Sequence, residues 1–229
     1  MSVDILRKWF ESGLDLNCVI ESVSYNSSLN QSTLVLDDIL HIRNDMVVTI
    51  SNVDFKVISS DESSNSIVLP GDLTGETNLT VEPLFFVNGT PLKVNGDNIH
   101  TPLDVKYPMV YVYELLREVV HRDNSPYLIT APGLRMFLLD DSNLNEWSQS
   151  DHLEKRVRGI NRLFNRIVRD LKNDGCCFYT EETDIERIVE VNWGRYVDSK
   201  GHTKTIFNEN TSGIEIKFDL VIFKNCNIL

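Results

Sequence analysis

Apolar residues near the start of the chain recur every three or four positions, which is the period of a helix. These residues are Val3, Leu6, Trp9 and Phe10. Ser2 is a suitable N-cap and Gly13 a suitable stop. The pattern predicts a helix over residues 2–12.

Beyond this helix the pattern becomes that of short strands. Runs rich in β-branched and aromatic residues alternate with Asn, Ser, Asp and Gly clusters that are typical of turns. The runs are Cys18–Val23, Ser32–Leu36, Met46–Ile50, Phe55–Ile58 and Ser66–Leu69. They predict a small antiparallel β-barrel or sandwich module over about residues 15–100, with a tight hairpin at Ser51-Asn52. Because a helix precedes it, this module is either a separate unit or an insertion into a domain formed by residues 1–14 and 101–229.

The second half of the chain mixes both periods. Pro108, at a first-turn position before a mostly apolar run, predicts a helix over residues 108–121. The run 134–139 is typical of a buried strand, and further strands are predicted over 185–197 and 213–224. The last of these is one-sided in its first half and apolar on both faces in its second half, which is typical of a central strand or one that a partner covers.

The strongest helical pattern lies at residues 151–172. Eight apolar residues fall on one arc of about 140°, and five basic residues fall on a narrower arc opposite to it. The apolar residues are Leu153, Val157, Ile160, Leu163, Phe164, Ile167, Val168 and Leu171, and the basic ones, which we call the basic ridge, are Lys155, Arg158, Arg162, Arg166 and Arg169. The expected fold class is therefore α+β: the β module plus an α/β domain in which a long amphipathic helix packs on an antiparallel sheet, with Phe164 and its apolar neighbours buried.

Charge is distributed unevenly along the chain. The net charge is −12 overall, −9 over residues 1–100 and +4 over residues 151–172. Three interpretations of the basic ridge follow. It is a solvated helix face, a surface that meets an acidic neighbouring subunit, or a sequence-independent contact with DNA phosphates. An acidic chain repels nucleic acid in bulk, so any DNA contact has to be local.

Motifs for catalysis or cofactors are missing from the sequence. The four cysteines, Cys18, Cys176, Cys177 and Cys226, form no CxxC pair, and the histidines have no HxxH spacing. Neither GxGxxG nor GxxxxGK[ST] nor GxSxG occurs. No apolar run reaches the ~18–20 residues that cross a bilayer. We therefore expect no enzyme, metal, cofactor or membrane contact, and cysteines that serve as small buried apolar residues in a reducing compartment.

Several packing patterns carry a family resemblance. They are the run Lys106–Leu115, the strand Arg135–Asp140, Trp147, the closing Ser212–Ile216 strand, the Cys18–Ile20 strand and the Val48–Val57 hairpin. Together they resemble small virion structural proteins of tailed bacteriophages, especially the crAss-like phages that infect Bacteroidetes.

This resemblance implies a place in the neck or tail of a virion, as a ring, adaptor or tail-terminator-like subunit assembled in the cytoplasm of the bacterial host. The implied partners are further copies of the chain in a ring and other virion proteins. Ring closure requires two complementary patches on each subunit, for which the acidic β module and the basic ridge are candidates. The alternative is a carbohydrate- or protein-binding accessory module of the virion, for which Tyr25 and Trp147 are the candidate exposed aromatic residues.

Overall fold

The structure is a computed structural model, and it describes residues 2–12, 14–90, 106–113, 117–122, 124–143, 146–173, 177–179, 185–197, 199–205, 207 and 210–224. The fold is α+β, as the sequence predicts. The chain divides into two compact units, one formed by Asp15–Pro83 and the other by Met1–Leu14 with Leu84–Leu229. The chain thus leaves the larger unit at Leu14 and returns to it at Leu84.

The smaller unit is the β module. Its strands are β1 (Asn17–Asn26), β2 (Gln31–Leu36), β3 (Val47–Ile50), β4 (Val53–Lys56), β5 (Ser59–Asp61), β6 (Ser66–Pro70) and β7 (Asn78–Val81). They form one antiparallel sheet in the order β4-β3-β7-β1-β2-β6-β5, curled into a half-barrel. Val57 donates its backbone N–H to Met46 on one side, and Ile58 donates to Val68 on the other, so the β4–β5 link brings the two edges together.

Local sequence explains the turns and the interior of this module. Ser51 and Asn52 both have positive φ, +50° and +64°, between the paired residues Ile50 and Val53. Two positive φ angles are those of a type I′ turn, so the predicted tight hairpin is confirmed. Buried and exposed residues alternate along β7, as expected for a sheet packed on one face.

In the described part of the larger unit lie helices near both the start and the middle of the chain, together with the remaining strands. Its helices are α1 (Ser2–Ser12), α2 (Gln149–His152) and α3 (Arg158–Asn173), with a π-helical turn at Leu153–Val157 between the last two. We call the segment from α2 to α3 the long helix. The strands are β8 (Phe85–Gly89), β9 (Met109–Tyr113), β10 (Val119–Val120), β11 (Tyr127–Asp141), β12 (Cys177–Tyr179), β13 (Glu186–Trp193), β14 (Arg195–Val197), β15 (Thr203–Thr205) and β16 (Thr211–Phe223).

Most of these strands form one mixed sheet. Its order is β12-β16-β11-β9-β8, with β10 paired to β11 and β13 paired to β16. β8 and β9 run parallel, whereas the other pairs are antiparallel, so the sheet is not the purely antiparallel one predicted. β14 and β15 form a separate hairpin. β16 is a central strand, which explains why the second half of its sequence is apolar on both faces.

The helix predicted over residues 108–121 is wrong. Met109–Tyr113 is strand β9, and Val119–Val120 is strand β10; residues 114–116 lie outside the described residues. β9 lies between β8 and β11 and its first four residues are fully buried, so it has no polar–apolar alternation. A continuous apolar run of this kind cannot be assigned to helix or strand by its period.

The boundary of the β module also differs from the sequence assignment. Phe85–Gly89 pairs with β9 in the mixed sheet, so it does not belong to the half-barrel. Residues 91–100, which the prediction also gave to the module, lie outside the described residues.

The two faces of the mixed sheet are covered differently. On one face, Ile167 and Leu171 of the long helix pack against Met136, Ile216 and Phe218. The opposite face carries a core of buried aromatic and aliphatic residues that belong to β8, β9, β11 and the segment around residue 207. This core contains Val87, Tyr107, Met109, Tyr111, Phe137, Leu139 and Phe207, with Trp193 packed against it.

Candidate functional site

The long helix starts at a complete capping box. Ser148 accepts from the Asp151 backbone N–H, and the Asp151 carboxylate accepts from the Ser148 backbone N–H. Hydrogen bonds from Ser148, and then Lys155, hold the pKa of Asp151 below its usual range. The Arg158 N–H donates to the carbonyl of Leu153, five residues back, which widens this turn into a π-helix. An extra residue in a turn displaces the preceding side chains around the helix axis, and Leu153 is 39% exposed instead of buried.

The basic ridge is only partly exposed. Lys155, Arg158 and Arg169 are exposed and Arg162 is half-buried, whereas Arg166 is only 7% exposed. The expectation that Arg166 lies on the exposed ridge is therefore wrong. The buried face of the long helix therefore includes Arg166 as well as apolar residues.

Phe164, on the apolar arc, is less buried than predicted. Ile167 and Leu171 are buried as predicted, but Phe164 is half-buried, with the Arg187 guanidinium 5.8 Å from its ring centroid. The Arg187 side chain also donates a hydrogen bond to Asn161. The Arg187 side chain, from strand β13 of the mixed sheet, thus covers part of the Phe164 ring.

Arg156, which the ridge does not include, is the basic residue that anchors the start of the helix. Its Nε donates to the Asp141 carbonyl at 2.9 Å and lies 3.6 Å from Asp140 Oδ2 and 3.3 Å from Asp141 Oδ1. Its guanidinium lies 4.7 Å from the Trp147 ring centroid, and the Lys155 ammonium lies 5.1 Å from it. These contacts fasten the helix to the end of β11 and cover Trp147, which is half-buried.

Tyr25, the other aromatic residue that the sequence offered for carbohydrate contact, lies in strand β1 and not on a loop. Its hydroxyl donates to Asn30 Oδ1 at 3.0 Å. Neither Tyr25 nor Trp147 therefore stands as a free ring on a loop.

A second candidate site lies on the face of the mixed sheet that the long helix does not cover. It is a cavity of about 330 Å³, which we call the sheet pocket. Its lining consists of Tyr113, Arg135, Phe137, Glu190, Trp193, Gly194 and Glu215. The strand register brings Arg135, Phe137 and Glu215 to the same face of adjacent strands β11 and β16. The size is within the range of small-ligand sites.

Two ion pairs organise the charge in and beside the sheet pocket. Arg135 Nε donates to Glu215 Oε1 at 2.7 Å, and Glu215 is 5% exposed. Lys217 Nζ lies 3.2 Å from Glu186 Oε2 and 3.8 Å from Glu215 Oε1. Glu190 has no such partner among the described residues. Partial burial, followed by repulsion from Glu215, raises the pKa of Glu190.

Sequence reasoning did not find the sheet pocket. It assigned Glu215 to a solvent-facing position, but β16 is buried on both faces at that point. The available signal was a charged residue inside each of two apolar strands, Leu134-Arg135-Met136 and Ile214-Glu215-Ile216. Opposite charges on two strands indicate a contact only if their register is known, and the sequence does not supply it.

The described residues contain no group of three or more His, Cys, Asp or Glu residues that could hold a metal ion. No described helix is long and apolar enough to cross a membrane. Cys18 is buried, as expected for a small apolar residue; Cys176 and Cys226 lie outside the described residues.

Comparison with known proteins gives no relative for this chain. No protein-family model, no curated protein and no solved structure matches it.

Proposed function

We propose that this chain is a structural subunit of a tailed-phage virion, a ring-forming head–tail connector, neck or tail component without catalytic activity. Such a subunit is assembled in the bacterial cytoplasm and acts through contacts with further copies of itself and with other virion proteins. The family resemblance of its packing patterns supports this proposal.

The observation that carries the proposal is a separation of charge between the two units. Residues 15–83 carry eleven acidic and two basic side chains, and each of the eleven acidic residues is exposed or half-buried. The long helix of the other unit presents Lys155, Arg158 and Arg169 to solvent. Head-to-tail contacts in a ring join two different surfaces of neighbouring subunits, and these two are complementary in charge.

Buried Arg166 limits the alternative in which the ridge follows a DNA backbone. Contacts one helical turn apart would need Arg162, Arg166 and Arg169 in line, and the middle one is buried. The exposed arginines are better suited to the carboxylates of a protein surface, which the planar guanidinium binds with two hydrogen bonds.

The test is a charge reversal on the exposed part of the ridge. Arg158→Glu together with Arg169→Glu should weaken self-association by about tenfold or more, measured by sedimentation velocity, because like charges would then face each other. Wild-type association should also weaken as salt rises, since charges are screened over about 8–10 Å near physiological ionic strength. Lys155 stays unchanged because its partner at 3.0 Å, Asp151, forms the capping box of the long helix. Arg169 pairs with Asp170 at 3.1 Å, and Asp170 takes no part in that cap.

The matched control is Lys8→Glu with Lys200→Glu, two exposed basic residues outside the long helix that give the same change in charge. Equal weakening by the control would contradict the proposal, as would the absence of the chain from purified virions by mass spectrometry. Normal assembly with loss of salt-sensitive binding to duplex DNA would replace it with the DNA interpretation.

A further inference from the structure

The sheet pocket has a surplus of negative charge. Arg135 is balanced by Glu215, and Lys217 just outside the pocket is balanced by Glu186. Glu190 is left as the one carboxylate in the lining without a hydrogen bond or ion pair within the described part of the chain. A ligand that brings a positive charge to Glu190 would therefore compensate a partly desolvated carboxylate.

The walls of the sheet pocket are aromatic and rigidly held. Trp193 lies 5.1 Å from both Phe137 and Phe207 by ring centroids, and Tyr111 packs edge-on against it at 5.8 Å. The Trp193 side chain is half-buried, so part of its ring remains accessible from the pocket. An aromatic ring of this kind attracts a cation placed over its face, and tryptophan does so most strongly.

The pocket already holds one guanidinium against aromatic rings. The Arg135 guanidinium carbon lies 5.6 Å from the ring centroids of Tyr113 and Phe137, while Nε is bound to Glu215. This arrangement, a planar cation between a carboxylate and aromatic faces, is built from the chain's own residues. Glu190 and Trp193 offer the same two elements a second time; Glu190 feels the charge of Arg135, but no described basic residue forms an ion pair with it.

We propose that the sheet pocket binds the side chain of an arginine from a partner polypeptide, with its guanidinium between the Glu190 carboxylate and the Trp193 ring. A guanidinium fits better than an ammonium group, because it is planar, weakly hydrated and able to stack while it donates to a carboxylate. An anion is disfavoured, since Arg135 is already engaged by Glu215 and two carboxylates line the cavity. This site uses residues other than the basic ridge and does not depend on ring assembly.

The test uses the full chain and N-acetyl-arginine amide as the probe, with N-acetyl-citrulline amide as its neutral isostere. Ligand-observed saturation-transfer NMR suits the millimolar affinity expected of one small cationic group. The arginine probe should saturate, and the citrulline probe should bind about tenfold more weakly, since it lacks the charge that pairs with Glu190. Equal binding of the two probes, or no saturation at tens of millimolar, would overturn the proposal.

Two variants with the same change in net charge separate the site from general attraction to an acidic protein. Glu190→Gln should weaken the arginine probe by about tenfold, whereas Glu154→Gln, at an exposed position of the long helix outside the lining, should change it less than about twofold. Glu190 is not part of the packed core, so its variant should keep the wild-type unfolding midpoint. Equal losses in both variants, or none in Glu190→Gln, would show that the pocket is not a guanidinium site.

Discussion

The two sheets of this molecule differ in the number of faces that are packed. In the half-barrel, buried residues alternate with exposed or half-exposed ones along β2, β6 and β7, so one face forms the core and the other meets solvent. In the mixed sheet, β9 and most of β16 are buried on both faces. A sheet packed on one face keeps its polar residues in water, whereas a strand packed on both faces has to bury the polar groups that it carries.

The distribution of buried polar side chains follows this difference. Ser32 and His41 are the two in the half-barrel unit, whereas seven of those described lie in the larger unit. In the larger unit Glu215 pairs with Arg135, and His152 Nδ1 lies 3.1 Å from Ser212 Oγ. A buried polar group is costly unless it has a hydrogen-bonding partner, so each such pair restricts the core to one arrangement of its side chains. Both candidate sites lie in that unit.

His41 should give the half-barrel the largest pH response. Burial, and to a smaller extent the charge of Arg43, lowers the pKa of His41 from 6.5 to about 3. The unfolded chain therefore takes up a proton below pH 6.5 that the folded chain does not accept until about pH 3. The free energy of unfolding should fall by about 1.4 kcal/mol for each pH unit in that window. Hydrogen exchange of β2 and β6 peptides between pH 7 and 4 measures it.

The control is His41→Met, which replaces the imidazole with an apolar side chain of similar length that cannot be protonated. The exchange rates of the variant and the wild type should diverge progressively below pH 6.5, because the variant has no imidazole to charge. Intrinsic exchange depends on pH equally in both proteins, so it cancels in their ratio. A constant ratio of the two exchange rates from pH 7 to 4 would mean that His41 takes up its proton as readily in the folded state as in the unfolded state.

The helix-covered face of the mixed sheet should give the next largest effect. Leu163 is fully buried, so Leu163→Ala should lower the free energy of unfolding by about 2–5 kcal/mol. Leu153→Ala, the same change in the 39% exposed residue at the π turn, should cost less than about 0.5 kcal/mol. Urea unfolding followed by tryptophan fluorescence measures both, because all three tryptophans lie in the larger unit. Similar costs would place the two leucines in equivalent environments.

Local features of the sequence predicted the elements that depend on local interactions. Helix α1 was predicted over the residues where it is found, because spacing and a cap residue define it. The Ser51-Asn52 hairpin was predicted for the same reason. Strand β9 was missed because burial on both faces removes the alternation that identifies a strand.

The sites depend on long-range contacts and were less predictable. The sequence located the long helix and its basic residues, but it could not show that Arg166 is buried. The sheet pocket requires the register of β11, β13 and β16 to bring Arg135, Glu190 and Glu215 together. Register is set by the packing of whole strands and not by the residues of the site.

The next largest effect should come from Arg166, which is buried, compared with Arg158, which is exposed on the same helix. Arg166→Ala should cost about 1–3 kcal/mol, because the side chain is only 7% exposed and its truncation removes buried packing. Arg158→Ala, at an exposed position eight residues earlier, should stay within about 0.5 kcal/mol of the wild type. Urea unfolding with fluorescence detection compares them. Equal costs would mean that the long helix is rotated relative to the structure described.

The smallest effect should come from the Arg135–Glu215 pair on the opposite face. Arg135→Met should cost about 1–2 kcal/mol, because it leaves the buried Glu215 carboxylate with only Lys217, 3.8 Å away. Glu215→Leu should cost less, since the Arg135 side chain is 44% exposed and can turn to water. The double variant should be more stable than the sum of the single costs predicts, a coupling that urea unfolding of all four proteins measures. Strict additivity of the two changes in unfolding free energy would show that Arg135 and Glu215 do not act as a pair.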